Sequence, residues 1–277
     1  MTDASVQDSR LPLGAGTIIG ATFPIFFRRF PLILLLGFVV SITGQILTAL
    51  IFGLDVVFGE AGVTGPADFA RAAVITLVMN AIIISMMVQI AHDAAMGRPA
   101  RPLGYLRDPI ANILPIIVLS LVVGFMGAIG YFILFSMPFE SQVEIAVGLL
   151  ACTVLSGYIY SVYICTVPAI VVEGAGFRAL GHSQRLTKGY RWPIFGTMLL
   201  MIILSFVIVF AIVIAIGLFL SLMLVDPLVR NTAALVLNAF GQAMLYGFIS
   251  IPIALIYARL REIKDGVGME DIAEVFE

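Results

Sequence analysis

Charged residues are scarce in this chain of 277 residues. Only 12% of the residues are Asp, Glu, Lys or Arg, while 61% are hydrophobic, and a soluble domain has about 25% charged residues. A soluble fold of this size cannot cover so much apolar surface, because a large share of any compact domain lies at its surface. The composition therefore excludes a soluble enzyme, a secreted disulfide scaffold and a disordered chain. It predicts an all-α, polytopic integral membrane protein.

Residues with reactive side chains are equally few. Cys152 and Cys165 lie in one apolar stretch without the spacing of a metal or redox site, and we expect small buried side chains there. The two histidines are His92 and His182, and we expect both to be surface residues in loops. The alternative for His92 is an acid–base pair with the adjacent Asp93. The sequence has no catalytic or phosphate-binding motif of known spacing. We therefore expect no catalytic residue, no cofactor and no metal.

Six apolar stretches are long enough to cross a bilayer, which requires about 20 residues of helix. They cover approximately residues 31–54, 69–91, 113–136, 143–168, 193–224 and 233–257. We interpret residues 1–277 as one membrane domain with three parts, namely an N-terminal segment 1–13, a bundle 14–257 and a tail 258–277. We expect no removable signal peptide. In the tail, apolar residues from Met269 to Phe276 recur with helical spacing, which predicts a short amphipathic helix.

Basic residues are distributed unevenly between the two sides of these spans. Thirteen of the fifteen lie before the first span, in the two longer loops or in the tail: Arg10, Arg28, Arg29, Arg98, Arg101, Arg107, Arg178, Arg185, Lys188, Arg191, Arg259, Arg261 and Lys264. The other side has only Arg71 and Arg230. Loops rich in Lys and Arg stay in the cytoplasm, so we expect both termini there. The net charge of −2 gives no reason to expect nucleic-acid binding.

Prolines mark a threefold internal pattern. Three residue pairs each end a semi-polar segment and begin a span: Phe30-Pro31, Leu114-Pro115 and Trp192-Pro193. Proline suits the first turn of a helix. The pattern predicts three copies of a unit made of one interfacial helix and two spans. In the second copy, apolar residues from Leu103 to Ile110 have helical spacing. In the third copy, basic residues form one face of the segment, and such helices bury the other face at the headgroup level.

The predicted spans lack ionisable residues in their middle sections, where such groups are expensive. Amides and hydroxyls remain, including Gln45, Asn80 and Gln89. The sixth span carries a polar edge, defined by residues that recur every four positions: Asn238, Gln242, Tyr246 and Ser250. Such an edge lines a polar pathway or a lipid headgroup, or it forms interhelical hydrogen bonds. A solvent-accessible cavity that reaches the edge would favour transport, and a sealed bundle would favour a scaffold.

The most specific stretch is residues 168–193, PAIVVEGAGFRALGHSQRLTKGYRWP. It resembles the membrane domain of some bacterial glycerophosphodiester phosphodiesterases and of related stand-alone inner-membrane proteins of unassigned function. The stretch departs from that pattern at Gly181-His182, where the family has an arginine before the serine. The 277 residues contain no counterpart of the soluble catalytic barrel of those enzymes. The resemblance therefore implies a fold and an inner-membrane location, without implying phosphodiester hydrolysis.

The same stretch supplies the candidate contacts to a lipid headgroup or a partner. These are Glu173, Arg178, Arg185, Lys188, Arg191 and Trp192. We expect the Glu173 carboxylate to lie at the start of the following helix or to pair with Arg185 or Lys188. In the alternative interpretation, the basic residues bind an anionic headgroup, with about 1 kcal/mol from each.

The sequence as a whole favours a non-enzymatic protein of the bacterial inner membrane that organises or supports lipids or a membrane-protein partner. A small-solute or lipid transporter or channel that uses the polar edge is the alternative. Membrane lipids are the expected partners, and another membrane protein or a second copy of the chain is left open.

Reporter fusions test the predicted orientation. Because of the uneven distribution of basic residues, fusions near Gly59, Pro138 and Pro227 should report from outside the cytoplasm. Fusions near Pro99, Gly181 and Gly268 should report from inside. A cytoplasmic signal at Pro138 would contradict the six-span topology.

Overall fold

The computed structural model describes residues 13–58, 62, 65–136, 141–223 and 226–265, and these are helical without any strand. The helices are α1 (Ala15–Phe52), α2 (Leu54–Val57), α3 (Pro66–Ala95), α4 (Pro102–Ala111), α5 (Ile113–Phe135), α6 (Gln142–Tyr163), α7 (Thr166–Glu173), α8 (Ala179–Thr187), α9 (Arg191–Met223) and α10 (Pro227–Asp265). The amphipathic helix predicted between Met269 and Phe276 lies outside the described residues.

The predicted six-span, all-α architecture is confirmed. Helices long and apolar enough to cross a membrane cover Ala15–Phe52, Ala67–Ala95, Ile113–Leu134, Gln142–Glu173, Arg191–Met223 and Leu228–Asp265. The fourth of these combines α6 and α7, which are separated by a break at Ile164 and Cys165. Many large apolar side chains on the spans are exposed in the isolated chain, which is the surface that a bilayer would cover.

Helix α10 is the centre of the bundle. It packs against α1, α3 and α9, and α1 and α3 also pack against each other. Helices α5 and α6 form a second pair, which joins the rest through contacts of α6 with α9 and of α5 with α3. Phe26, Ile33, Met86, Met87 and Phe248 are almost fully buried where α1, α3 and α10 meet. The three-helix unit of α1, α3 and α10 is therefore the core of the molecule.

Two glycines let these three helices approach closely. A Cβ atom on Gly37 of α1 would lie 2.6 Å from Met87 Cε of α3 and 2.8 Å from Ala243 Cβ of α10. A Cβ atom on Gly247 of α10 would lie 2.6 Å from Ile33 Cγ2 of α1. Small residues serve the same purpose at helix contacts in membranes generally, because the backbones can then pack directly.

The first copy of the predicted repeat differs from the other two. Helix α1 runs without interruption through Pro24 and Pro31, so its first part is not a separate interfacial helix. The corresponding segments later in the chain do form separate helices, α4 and α8. On α4, Leu103 and Ile110 are 84% and 57% exposed, as expected for apolar residues that face lipid. The threefold repeat itself stays a prediction.

The basic residues of several helices meet at one end of the bundle, which we call the basic end; the opposite end is the far end. Arg29 Nη2 of α1 donates a hydrogen bond of 2.6 Å to the carbonyl oxygen of Arg98. The Asp93 side chain is 3% exposed and accepts hydrogen bonds of 2.9 Å from Arg101 Nη2 and from the Tyr105 hydroxyl. Asp93 raises the pKa of Arg101, chiefly through that hydrogen bond. Burial, together with the bond to Asp93, raises the pKa of Tyr105.

Replacement of Gly37 by alanine should destabilise the protein. The added methyl group overlaps Met87 and Ala243, and overpacking of this kind costs about 1–3 kcal/mol. The measurement is the apparent melting temperature of the purified protein in detergent. Gly20→Ala, on the same helix, is the matched control because its Cβ would meet no atom within 4 Å. It should keep or raise the melting temperature, because alanine is the better helix former. Equal melting temperatures for the two variants would contradict the close packing at Gly37.

Candidate functional site

A cavity of about 450 Å³ lies between α1, α3 and α10 in the half of the bundle nearest the far end. Its wall extends from Phe58 and Asn231, near the far end, to Val40, Ile83 and Gln242. Asn231 and Gln242 are eleven residues apart on α10, which corresponds to a depth of about 16 Å along the helix. The volume lies within the range of about 300–1,000 Å³ that is typical of small-molecule sites.

The cavity wall combines apolar residues with eight polar side chains. These are Ser41, Gln45 and Thr48 of α1, Thr76 and Asn80 of α3, and Asn231, Asn238 and Gln242 of α10. Among the described residues, the lining contains no Asp, Glu, Lys, Arg or His. The described part of the wall therefore offers hydrogen-bond donors and acceptors but no countercharge.

Two side chains of this wall have buried polar atoms that are left unpaired. Ser41 is 6% exposed, and its hydroxyl has no hydrogen-bond partner among the described residues. The same holds for both amide atoms of Gln45, one turn further along α1. A buried polar group without a partner costs about 1–3 kcal/mol, and the great majority of such groups in proteins are paired. The atoms themselves are inaccessible, so a ligand or water in the cavity would satisfy them once the side chains rotate toward it.

The polar edge predicted on the sixth span is divided between two environments. Asn238 and Gln242 line the cavity and are exposed, and Gln242 Nε2 donates a hydrogen bond of 2.6 Å to Asn238 Oδ1. Deeper in the bundle, the Tyr246 hydroxyl donates to Asn80 Oδ1 of α3. Ser250 is 1% exposed and lies in the packed core. Two residues of the edge therefore line the cavity, Tyr246 connects α10 to α3, and Ser250 is buried in the core.

The cavity ends at the close contact of α1, α3 and α10 around Gly37. Beyond this contact, toward the basic end, the rings of Phe26 and Phe248 stack with a centroid separation of 3.8 Å. Gln89 of α3 is 4% exposed, and neither of its amide atoms has a partner within the described part of the chain.

The candidate segment 168–193 packs against the bundle with its apolar side chains. Ala179, Leu186 and Tyr190 are buried in a cluster with residues of α7, α9 and α10. The hydroxyls of Ser183 and Thr187 both donate to the carbonyl oxygen of Val162, at 2.9 and 3.0 Å. These bonds satisfy a carbonyl group beside the break between α6 and α7. The expectation that α8 buries its apolar face at the headgroup level is therefore wrong, because that face packs on protein.

The predicted pairing of Glu173 with Arg185 or Lys188 is also wrong. The Glu173 carboxylate accepts a hydrogen bond from the Tyr257 hydroxyl, lies 3.0 Å from Arg261 Nε and lies 3.4 Å from His182 Nε2. Arg185 instead lies 3.9 Å from Asp265. Sequence reasoning missed these contacts because Tyr257, Arg261 and Asp265 lie on α10, about 80–90 residues away from Glu173 and Arg185.

The other candidates on this segment face outward or pack locally. Arg178 and Lys188 are exposed and form no ion pair with any residue that the structure describes. Arg191 Nη1 donates to the Tyr158 hydroxyl at 3.5 Å. Trp192 is 63% exposed, and its ring lies 5.3 Å from that of Tyr158. The structure therefore does not gather these four residues into one site.

The expectation of surface histidines is wrong for His92. It lies in the last turns of α3 and is 5% exposed, because α3 continues to Ala95. Asp93 is buried as well, and it binds Arg101 and Tyr105. Within the described ranges, no three His, Cys, Asp or Glu side chains are grouped so that they could hold a metal ion.

Comparisons of the chain with protein-family models, with curated proteins and with solved structures give no match. The resemblance of residues 168–193 to the membrane domains named above stays a prediction.

A cysteine placed at Asn238 should be accessible to water. In lipid nanodiscs, Asn238→Cys should react with a charged methanethiosulfonate reagent, because the thiolate that reacts forms only in contact with water. Val207→Cys on α9 is the matched control, since Val207 is 63% exposed on the apolar surface. Its reaction should be slower by a factor of about ten or more. The unsubstituted chain gives the background, because Cys152 and Cys165 are buried. Equal rates for the two variants would contradict a hydrated cavity.

Proposed function

We propose that this chain is a carrier that binds an uncharged, hydroxyl-bearing group in the cavity between α1, α3 and α10. The group belongs either to a small polar solute or to the headgroup of a neutral lipid. The observation that supports this proposal is the unpartnered Ser41 hydroxyl and Gln45 amide in the wall of a cavity within the membrane-spanning helices.

The chemistry of the wall favours an uncharged ligand. A charged group that leaves water loses its hydration, and it needs a countercharge in return. The wall supplies amides and hydroxyls only, which can both donate and accept hydrogen bonds. Hydroxyl groups of a ligand have the same dual capacity, so a polyol or sugar group matches the wall well.

The position of the cavity favours a carrier over a scaffold. Carriers bind their substrates between spanning helices and open the site to one side at a time. The present cavity reaches Asn238 and Gln242, and the contact at Gly37 closes it toward the basic end. With the orientation expected from the basic residues, the cavity would face away from the cytoplasm.

The hypothesis that the chain organises lipids or a membrane-protein partner stays a second candidate. It is supported by the exposed side chains of Arg178, Lys188 and Trp192 at the basic end. The expectation that the chain is not an enzyme likewise stays a prediction.

Binding measurements with neutral probes test the proposal. The free-solute probes are glycerol and glucose, and the lipid probe is monoglucosyl-diacylglycerol in nanodiscs. We expect at least one of them to bind the purified full chain saturably, and glucuronate, the charged counterpart of glucose, to bind at least about tenfold more weakly. Counterflow into proteoliposomes, or exchange of the lipid between leaflets, then measures transport of the probe that binds.

Gln45→Leu should weaken binding about tenfold, because each lost hydrogen bond contributes about 1 kcal/mol or more. Gln89→Leu is the matched control. It makes the same change at a buried, unpartnered glutamine that does not line the cavity, so it should leave binding unchanged. Any of three results would overturn the proposal. These are no binding of any of the three neutral probes, binding of glucuronate as tight as that of glucose, and unchanged affinity in Gln45→Leu.

A further inference from the structure

A second cavity, of about 420 Å³, lies at the basic end between the same three helices. Its wall is formed by the start of α1, the end of α3 and the last turns of α10: Leu13, Gly14, Thr17, Ile18, Ala21, His92, Ala95, Met96, Leu255, Ala258, Arg259, Arg261 and Glu262. Most of these side chains are apolar, and the polar ones are Thr17, His92, Arg259, Arg261 and Glu262. The wall therefore combines an apolar surface with a small polar region.

His92 is the unexplained residue of this wall. It is 5% exposed, and its Nδ1 atom has no hydrogen-bond partner among the described residues. Its nearest aromatic neighbour, Tyr257, lies at a ring separation of 6.5 Å and donates its hydroxyl to Glu173 instead. The Nδ1 atom itself is inaccessible, so it can bond to a group that enters the cavity once the ring rotates toward it. Such a bond would remove the cost of leaving the nitrogen unpaired.

The start of α1 adds backbone donors to the same cavity. Helix α1 begins at Ala15 after Gly14, and no side chain of the residues that the structure describes caps this end. The first N–H groups of a helix lack partners within the helix, and they carry a partial positive charge that favours anions. Gly14 and Thr17, which lie in this first turn, both line the cavity.

Two arginines bring positive charge to the wall. Arg259 Nη1 donates one hydrogen bond, of 2.6 Å, to Glu262, and a guanidinium group has five N–H groups. Arg261 lies 3.0 Å from Glu173 and 3.9 Å from Asp265. These acidic groups therefore hold the two guanidinium groups beside the cavity. The remaining N–H groups of the two arginines form no ion pair with an acidic side chain of the described residues.

We propose that this cavity binds an anionic phosphate group through Arg259, His92 and the N-terminal turn of α1. This inference is independent of the function proposed for the far cavity. The phosphate comes either from a phospholipid headgroup or from a soluble phosphate. The apolar side chains of Ile18, Ala21 and Leu255 favour the phospholipid, because they would cover its glycerol and upper acyl carbons.

Binding to the purified full chain in neutral detergent tests this proposal with three probes. These are short-chain phosphatidylglycerol, short-chain phosphatidylcholine and inorganic phosphate, each measured by the rise in apparent melting temperature with concentration. We expect saturable stabilisation by phosphatidylglycerol that exceeds that by phosphatidylcholine. Saturable stabilisation by inorganic phosphate at similar concentrations would support the anion site and would show that it takes a soluble phosphate. Absence of saturable stabilisation by both anionic probes would overturn the proposal.

Arg259→Gln should weaken binding of the anionic probe about tenfold or more, since charge-assisted hydrogen bonds are the strong ones. Arg178→Gln is the matched control, because it removes the same charge from an exposed residue of the basic end that does not line the cavity. It should change the affinity less than about twofold. An equal loss in both variants would show that only the overall positive charge matters, and it would overturn the proposal.

The variant His92→Phe distinguishes an effect on anion binding from an effect on folding. Without lipid, it should keep or raise the melting temperature, because it removes a buried atom that lacks a partner. The stabilisation by the anionic probe should nevertheless become smaller than in the unsubstituted chain. A full response of His92→Phe to the probe would contradict the role of His92 in the site.

Discussion

The close packing of α1, α3 and α10 at Gly37 and Gly247 is the constraint on which the rest of the structure depends. In a bilayer, the hydrophobic effect does not hold helices together, because lipid tails are as apolar as the side chains. Association then depends on direct contact between surfaces that fit closely. The two glycines provide this contact near the middle of the three helices. Toward either end the helices carry larger or polar side chains, and a cavity is present on each side of the contact.

The two cavities therefore share their walls but differ in chemistry. Within the described residues, the wall of the far cavity has amides and hydroxyls but no charged group, whereas the cavity at the basic end has two arginines, a glutamate and a buried histidine. Gln242 and Leu255 are thirteen residues apart on α10, which corresponds to about 20 Å of helix. Gln89 of α3 lies in the packed section between the cavities, with both amide atoms unpaired among the described residues. A neutral ligand and an anion would thus bind to opposite ends of one three-helix unit.

The sequence predicted the fold well because the hydropathy of a membrane span is a local property of about 20 residues. It also predicted that Asn238 and Gln242 belong to a polar edge, because helical spacing is local. The partners of Glu173 and the burial of His92 were not predictable in this way, since they depend on which helices meet at the basic end. The unpartnered hydroxyl of Ser41 was missed for a similar reason. A lone serine in an apolar span usually bonds to the backbone of its own helix. The three-dimensional structure was needed to show that the Ser41 hydroxyl does not.

The contacts of Asp93 have a mechanical consequence. Because Arg101, just before α4, and Tyr105 of α4 both bind this buried carboxylate at the end of α3, the two helices are linked at the basic end. Helix α4 presents the apolar side chains of Leu103 and Ile110 to its surroundings. A force that the lipid exerted on α4 through these side chains would therefore also act on α3.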